Sequence, residues 1–370
     1  MKYGLYLFCL FLLGANSLAF AQIELGVEDL SGGTIEDKKN TGDTNLVSAV
    51  NLFKKEEKKE EKTISLDELK KKAESGDVQS QLDLGYMFLY GENGVNVDYK
   101  QAIMYYEMAA RKNNAVALNN MGSLFFNGIG TEVDYVKAIS YFEEAAKQGS
   151  NDAALNLAII YLGDNKKNKS QEDWNKIYDL LNQAQKSNYA AKYLMGYAYY
   201  IGFLVEQNYI EAFKLIKEAA DNNYDEAQYI LSDLYISGKG TTKNYAKAVN
   251  YLRAAAYQGN LEAIMKLADI LAEGTIYTKN IMSAHVLYNV AAVMGASGAA
   301  EKRDNLEKLL KIEELLQVQA NAENFKQEPS NNTTFIRQTF GNSLRAYIDM
   351  NMYVDNNENT SNIDEVDSFN

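Results

Sequence analysis

Residues Leu118–Gly149 read LNNMGSLFFNGIGTEVDYVKAISYFEEAAKQG, and the pattern returns as QYILSDLYISGKGTTKNYAKAVNYLRAAAYQG at Gln228–Gly259. Each stretch contains a large apolar residue followed by a small one, Met121-Gly122 or Leu231-Ser232, which we call the apolar-small step. A glycine turn, an Asp or Asn and a pair of alanines follow. Such pairs, with one Ala-Gln variant, begin at positions 109, 145, 184, 219, 255 and 291, at steps of 35 to 39 residues. A fixed period of this length is typical of a repeat array built from one supersecondary structure.

Each unit predicts two helices joined by a short turn. In the second unit the step at Gly122 lets a neighbouring helix approach, and Phe125 fills the space one turn later. Gly128 closes the first helix, since glycine accepts the left-handed conformation at helix ends. Asp134 then caps the second helix, because its side chain accepts from the free amides of a new helix.

The same positions define six predicted units. The residues expected to cap the second helices are Asp98, Asp134, Asp173, Asn208, Asn244 and Asn280. The residues expected to end these helices with positive φ are Asn113, Gly149, Asn188, Asn223, Gly259 and Gly295. The third unit deviates, because Gly163 arrives early and a Lys/Asn-rich loop follows at 165–169; this loop is either a surface insertion or a site of function.

The chain divides into five segments. Residues 1–21 have the charged start, short apolar run and Ala-Phe-Ala ending of a secretory signal peptide, which predicts export to the periplasm, the outer membrane or the outside. Residues 22–62 are predicted to be a disordered charged linker. The array covers 63–296 and begins with a half-repeat at Ser65–Ala73. Capping helices or a short self-associating coiled coil occupy 297–326. Residues 327–370 are predicted to be an acidic, mostly disordered tail, with a short element within 333–354.

Composition excludes several classes of function. The formal net charge of −13 argues against nucleic acid, whose phosphates need a basic surface. Cys9 lies in the signal peptide and His285 is the only histidine, so the mature chain has no thiolate or histidine cluster for a metal site. No G-x-S-x-G or phosphate-binding loop occurs. No transmembrane segment follows the signal peptide, and we expect no catalytic residue, metal or cofactor.

The repeats resemble those of the Sel-one-like repeat (SLR) family, relatives of tetratricopeptide repeats. The resemblance covers residues 63 to 325 and implies an all-α fold, a right-handed α-solenoid of stacked helix hairpins with a concave face. It also implies an adaptor that assembles other proteins, with secreted bacterial members linked to envelope processes or host contact. One branch carries cysteine pairs and is linked to cell-wall or β-lactam binding and hydrolysis, and this sequence lacks those cysteines.

The concave face is the predicted binding surface. In the related tetratricopeptide geometry, set positions around the small residue of each first helix face inward. Here these positions hold Asn119, Ser123, Phe126, Tyr193, Tyr197, Tyr200, Tyr229, Asp233, Met265 and Asp269. Tyrosine suits binding surfaces because it offers a large area and a hydroxyl at little entropic cost. The alternative is that several of these tyrosines only pack between helices.

The sequence therefore predicts a non-enzymatic exported scaffold that binds a protein or peptide in the bacterial envelope or during host interaction, including virulence. The set of Lys, Asn and Arg that clamps a peptide carboxylate is absent. We thus expect the groove to prefer an extended or helical segment with apolar and basic residues over a free C terminus. The alternatives are a protein that binds or hydrolyses cell-wall or β-lactam compounds, and an adaptor in the endoplasmic reticulum lumen of a eukaryote.

Overall fold

A computed structural model gives the structure of residues 65–163, 169–341 and 343–349. These residues form sixteen helices and a further helical turn at 346–349, with no strand among them. The predicted signal peptide and linker lie outside the described residues. Within the described ranges, no helix has both the length and the apolar character needed to cross a membrane.

The helices follow one another in antiparallel pairs. The six repeat units are α2 (Val78–Tyr90) with α3 (Tyr99–Ala110), α4 (Ala115–Asn127) with α5 (Tyr135–Lys147), α6 (Asn151–Gly163) with α7 (Gln171–Ala184), α8 (Tyr189–Ile201) with α9 (Tyr209–Asp221), α10 (Asp225–Ser237) with α11 (Tyr245–Tyr257), and α12 (Leu261–Glu273) with α13 (Ile281–Val293). The half-repeat α1 (Leu66–Glu74) precedes them, and α14 (Ala299–Glu307), α15 (Ile312–Glu323) and α16 (Asn331–Phe340) follow. Each helix from α1 to α13 packs on the next one, which is the predicted right-handed α-solenoid.

Local capping sets the helix boundaries, largely as predicted. The second helices that begin at the expected cap are those at Asp98, Asp134, Asn208, Asn244 and Asn280. In each, the capping side chain accepts from a backbone N–H of the first turn, as Asp134 does from Lys137 N at 3.0 Å. The first helices of five units end at glycines in the left-handed conformation, with φ between 67° and 78°.

The third unit is capped differently from the prediction. α7 begins after Ser170, not after Asp173, because the two residues form a capping box. Asp173 N donates to the Ser170 hydroxyl at 3.2 Å, and Ser170 N donates to Asp173 Oδ2 at 2.8 Å. Asn188 has φ −103° instead of a positive value, since its side chain caps α8 by accepting from Ala191 N. Both predictions for this unit were wrong.

The apolar-small steps are sites of very close helix approach. A Cβ added to Gly85 would lie 2.5 Å from the Tyr106 ring, and one added to Gly122 would lie 2.7 Å from the Phe142 ring. These rings belong to the second helix of the same unit. The first alanine of each pair is likewise buried, as at Ala109. The small residues therefore let the two helices of a hairpin meet, while stacked hairpins share a core that runs from Tyr106 of unit one to Ala248 of unit five, with a separate cluster at each end.

The C-terminal part of the chain folds back onto the array. α14 and α15 pack on α13, as expected for a cap. The chain then continues through α16 to residue 349, and Ile336, Leu344 and Ile348 join the core of units one to five. These residues differ from the mostly disordered tail expected from 327, because their apolar side chains are buried within an otherwise acidic segment. The predicted coiled-coil association stays a prediction, and residues 350–370 lie outside the described ranges.

Candidate functional site

The first helices of units four to six present one continuous surface to the C-terminal part of the chain. We call this surface the first-helix face and define it by Tyr197 of α8, Glu226 and Tyr229 of α10, and Glu262 of α12. We call residues 330–341 and 343–349, which lie on it, the C-terminal segment. The segment first reaches the N-terminus of α10, then crosses α10, and ends against α8.

The N-terminus of α10 takes a cap from the C-terminal segment. Its own N-cap residue is Tyr224, which makes no side-chain capping hydrogen bond. The Thr333 hydroxyl accepts instead from Asp225 N at 3.1 Å and lies 2.6 Å from Gln258 Oε1. Thr333 is fully buried. A residue more than a hundred positions away thus satisfies the first free amide of this helix, whereas local Asp, Asn or Ser caps satisfy the second or third amide in the other units.

Two buried carboxylates at the start of α10 meet polar groups of the C-terminal segment. Asp225 is 1% exposed and Glu226 is 4% exposed. Arg337 Nη2 lies 2.6 Å from Asp225 Oδ2, which is an ion pair. Ser343 donates its hydroxyl proton to Glu226 Oε1, and the Leu344 N–H donates to Glu226 Oε2 at 3.1 Å. Because isolated buried charges are costly, these contacts fix the position of the segment.

Burial also changes the ionisation of this site. It raises the pKa of Glu226, while hydrogen bonds from Ser343 and Tyr224 oppose that rise. Arg345 lies between two carboxylates, with its Nη2 2.6 Å from Glu262 Oε1 and its Nε 4.0 Å from Glu226 Oε1. The ion pairs of α10 and α12 with the C-terminal segment therefore join acidic side chains on the array to arginines on the segment.

Apolar and aromatic contacts complete the docking. Ile336, Leu344 and Ile348 are buried on the first-helix face. The Arg345 guanidinium stacks over the Tyr229 ring at 5.5 Å. The Tyr197 hydroxyl donates to Asp349 Oδ1 at 2.8 Å. Burial, and then this carboxylate, raise the pKa of Tyr197. The segment thus fills the central part of the predicted groove.

The predicted binding residues of units two and four are largely buried. Asn119 Oδ1 accepts from Asn156 Nδ2 at 3.1 Å, which joins the first helices of two units. The buried set consists of Asn119, Ser123, Phe126, Tyr193 and Tyr197. The first three pack within the array, and Tyr197 lies under the C-terminal segment. In this conformation none of the buried five presents a free surface to a separate partner.

The predicted residues of units five and six are half-buried. Tyr229 lies between Arg345 and Lys266, whose ammonium is 5.7 Å from the ring centroid. Asp233 forms an ion pair with the same lysine. Asp269 accepts from Lys302 at 2.6 Å. Tyr200 and Met265 are also half-buried, so the structure keeps this half of the predicted set at or near the surface.

Sequence reasoning missed the residues that hold the C-terminal segment. They are Asp225, Glu226, Gln258, Glu262, Thr333, Arg337, Ser343 and Arg345. One local signal existed: unit five has Tyr224 where the first helices of the other units have Asp, Asn or Ser, and two acids follow it at once. A missing cap beside two adjacent carboxylates indicates that another part of the chain completes the helix end.

The junction of units three and four holds an open pocket of about 390 Å³. Trp174 and Phe203 meet edge to face there at 5.3 Å. Leu204 has φ 66° at the position where units two and five have Gly130 and Gly240. Gly130 lies against Tyr99 and Gly240 against Tyr209, each of which is the first residue of the second helix in the preceding unit. For Leu204 the preceding unit is the third, whose second helix begins with the capping box at Ser170. The pocket therefore reflects the altered third unit.

His285 has a structural environment. It is fully buried, and its Nε2 lies 3.1 Å from Glu307 Oε1 of α14. Over the residues that the structure describes, no group of three or more His, Cys, Asp or Glu side chains is arranged to hold a metal ion.

Comparison with known proteins agrees with this fold. The family model of the Sel1 repeat matches residues 78–114, 115–150, 190–224, 225–260 and 261–295, and so skips the deviating third unit. None of the curated proteins matches the chain. Among solved structures, c5321, a protective antigen present in uropathogenic Escherichia coli strains displaying an SLR fold, is similar with TM-score 0.62 and 23% identity. The match covers 74% of this chain and 58% of c5321.

A second similar structure is a Sel1 repeat protein from Oxalobacter formigenes, with TM-score 0.51 and 26% identity. That match covers 60% of this chain and 89% of the other. The repeated helix pairs, their capping residues and the five matched segments together place this chain in the family of Sel1 repeat proteins.

Proposed function

We propose that the protein is a non-enzymatic, exported scaffold that binds a protein or peptide on the first-helix face of its solenoid, in the bacterial envelope or during contact with a host. Sel1 repeats generally mediate protein–protein interactions. The envelope and host roles rest on the apparent signal sequence, and the binding surface rests on the geometry of α8, α10 and α12.

One observation carries the proposal: the first-helix face already holds a peptide. The C-terminal segment lies on it through buried ion pairs, backbone hydrogen bonds and apolar side chains. Its content of apolar and basic residues is the content that the sequence predicted for a bound segment. A surface that holds one helical segment in this way has the depth and polar groups that peptide recognition requires.

Photo-crosslinking in the native cells tests the proposal. A photoreactive amino acid at Met265 lies on the first helix of unit six, and one at Val136, 81% exposed on the second helix of unit two, serves as a matched control. We expect one partner protein to be crosslinked from Met265 and not from Val136, in the exported fraction. Equal capture from both positions, or capture from Val136 alone, refutes the assignment of the face.

A further inference from the structure

We infer that the C-terminal segment is an internal ligand of the partner site, and that the partner is therefore a basic amphipathic segment that displaces it. This inference rests on the proposed function and names the chemistry of its partner. The displacing segment carries a hydroxyl residue and an arginine at the spacing of Thr333 and Arg337, with a second arginine in the place of Arg345.

Charge sets the first requirement. Asp225 and Glu226 are buried at the start of α10, and Glu262 flanks them at its own helix start. Covering this cluster with an apolar segment would bury Asp225 without a cation, which is strongly unfavourable, whereas leaving the cluster uncovered returns its carboxylates to water. Arg337 and Arg345 meet this need in the present structure. An occupant of the same site must bring two cations of similar reach.

Helical geometry sets the second requirement. Thr333 and Arg337 are four residues apart in α16, so both lie on the same face of that helix. Their partners, Asp225 N and Asp225 Oδ2, belong to one residue of the array. A segment that reaches both must therefore be helical there and approach α10 from the same side.

The attachment of α16 is of a kind that another segment can replace. Consecutive repeat helices pack directly on one another, with the Phe142 ring of one helix against the backbone of the other at Gly122, whereas α16 attaches to the array mainly through side chains. The array retains its own helix-to-helix packing from α1 to α14 beneath it. Gly341, with φ 93°, ends α16 and joins it to the second half of the segment. The C-terminal segment thus lies on a surface that the repeats build without it.

A synthetic peptide with the sequence of residues 330–349 tests the inference on the full mature chain. The release variant, Arg337→Glu with Arg345→Glu, places like charges beside Asp225 and Glu226 and expels the segment in cis. Fluorescence anisotropy then measures binding of the labelled peptide to the release variant and to the wild-type chain. The control is a peptide with glutamate at both arginine positions.

We expect the release variant to bind the peptide about a hundredfold more tightly than the wild type, since a site open in about a hundredth of the molecules weakens apparent affinity by that factor. The control peptide should not bind. Equal binding to both proteins, no binding to either, or binding of the control peptide overturns the inference. If the release variant loses its helical circular dichroism, Arg337→Gln alone must give a gain of about threefold in the same assay, and no gain is equally decisive.

The peptide assay needs no native partner, so the two proposals fail separately. If the peptide binds but no partner is crosslinked at Met265, the inferred chemistry of the site is supported and the scaffold role is refuted. A crosslinked partner together with a negative peptide assay refutes the internal-ligand inference alone.

Discussion

Replacing Thr333 with valine is expected to loosen the C-terminal segment while the array stays folded. Valine has nearly the same shape as threonine but cannot accept from Asp225 N or donate to Gln258 Oε1. Leaving one buried donor without a partner costs about 1–3 kcal/mol, and losing a helix cap costs about 0.5–2 kcal/mol. Because these figures describe the same hydrogen bond at α10, we take about 2 kcal/mol as the expected loss of docking free energy.

Hydrogen exchange followed by mass spectrometry measures this loss. A cost of about 2 kcal/mol corresponds to about thirtyfold faster exchange of the amides in 331–349, if they exchange through undocking. The matched control is Thr334→Val, the same substitution at a half-buried neighbour that takes no part in capping α10. Amides of the array, such as those of α4, should keep their protection in both variants.

The reasoning is refuted if Thr333→Val and Thr334→Val change the exchange of 331–349 by the same factor, because the Thr333 hydroxyl would then contribute no more to docking than that of its neighbour. The capping of α10 by Thr333 would then add nothing measurable to the free energy of docking. Faster exchange throughout the array would instead mean that the segment is part of the core and not a ligand on its surface.

Three further outcomes are expected in urea unfolding. Gly240→Ala should destabilise the protein by about 1–3 kcal/mol more than Gly149→Ala, since both have positive φ but only the first Cβ would strike backbone, at 1.9 Å. Asn119→Ala should cost about 1–3 kcal/mol by leaving the buried Asn156 amide unpaired. Hydrogen bonds from the first turn of α5 lower the pKa of Asp134 below 3.8, so its stabilising effect exists above that pH and is lost as pH falls through the folded value. Asp134→Asn, a cap used elsewhere in this array, should remove that part of the pH dependence.

The sequence predicted the array well because its determinants are local. A cap such as Asp134 and a helix-ending glycine such as Gly128 act within one turn of their own position. The small residue at Gly122 acts within one hairpin. These signals repeat six times, so an error in one unit does not disturb the others. The third unit shows the limit of matching single positions, because Ser170 and Asp173 form a capping box and aligning Asp173 with the caps of the other units overlooks it.

The docked C-terminal segment was not predictable in the same way. Its determinants are a pairing of Thr333 and Arg337 with Asp225, across more than a hundred residues that no short pattern connects. The acidic composition of 327–370 as a whole masks the two arginines and the apolar residues that dock. For the predicted groove residues Tyr193 and Tyr197, the sequence indicated the helix face on which they lie but not the burial of that face.

The return of the chain to its own middle has a consequence for how the protein assembles. Contacts in a solenoid usually join neighbouring units, so contact order is low and folding can start anywhere and spread. The C-terminal segment adds hydrogen bonds across 72 to 152 residues. These can form only after residues 330–349 have been synthesised, so docking follows the folding of the array. A chain truncated before residue 330 should still fold into the array, but the first-helix face of its central units would stay uncovered.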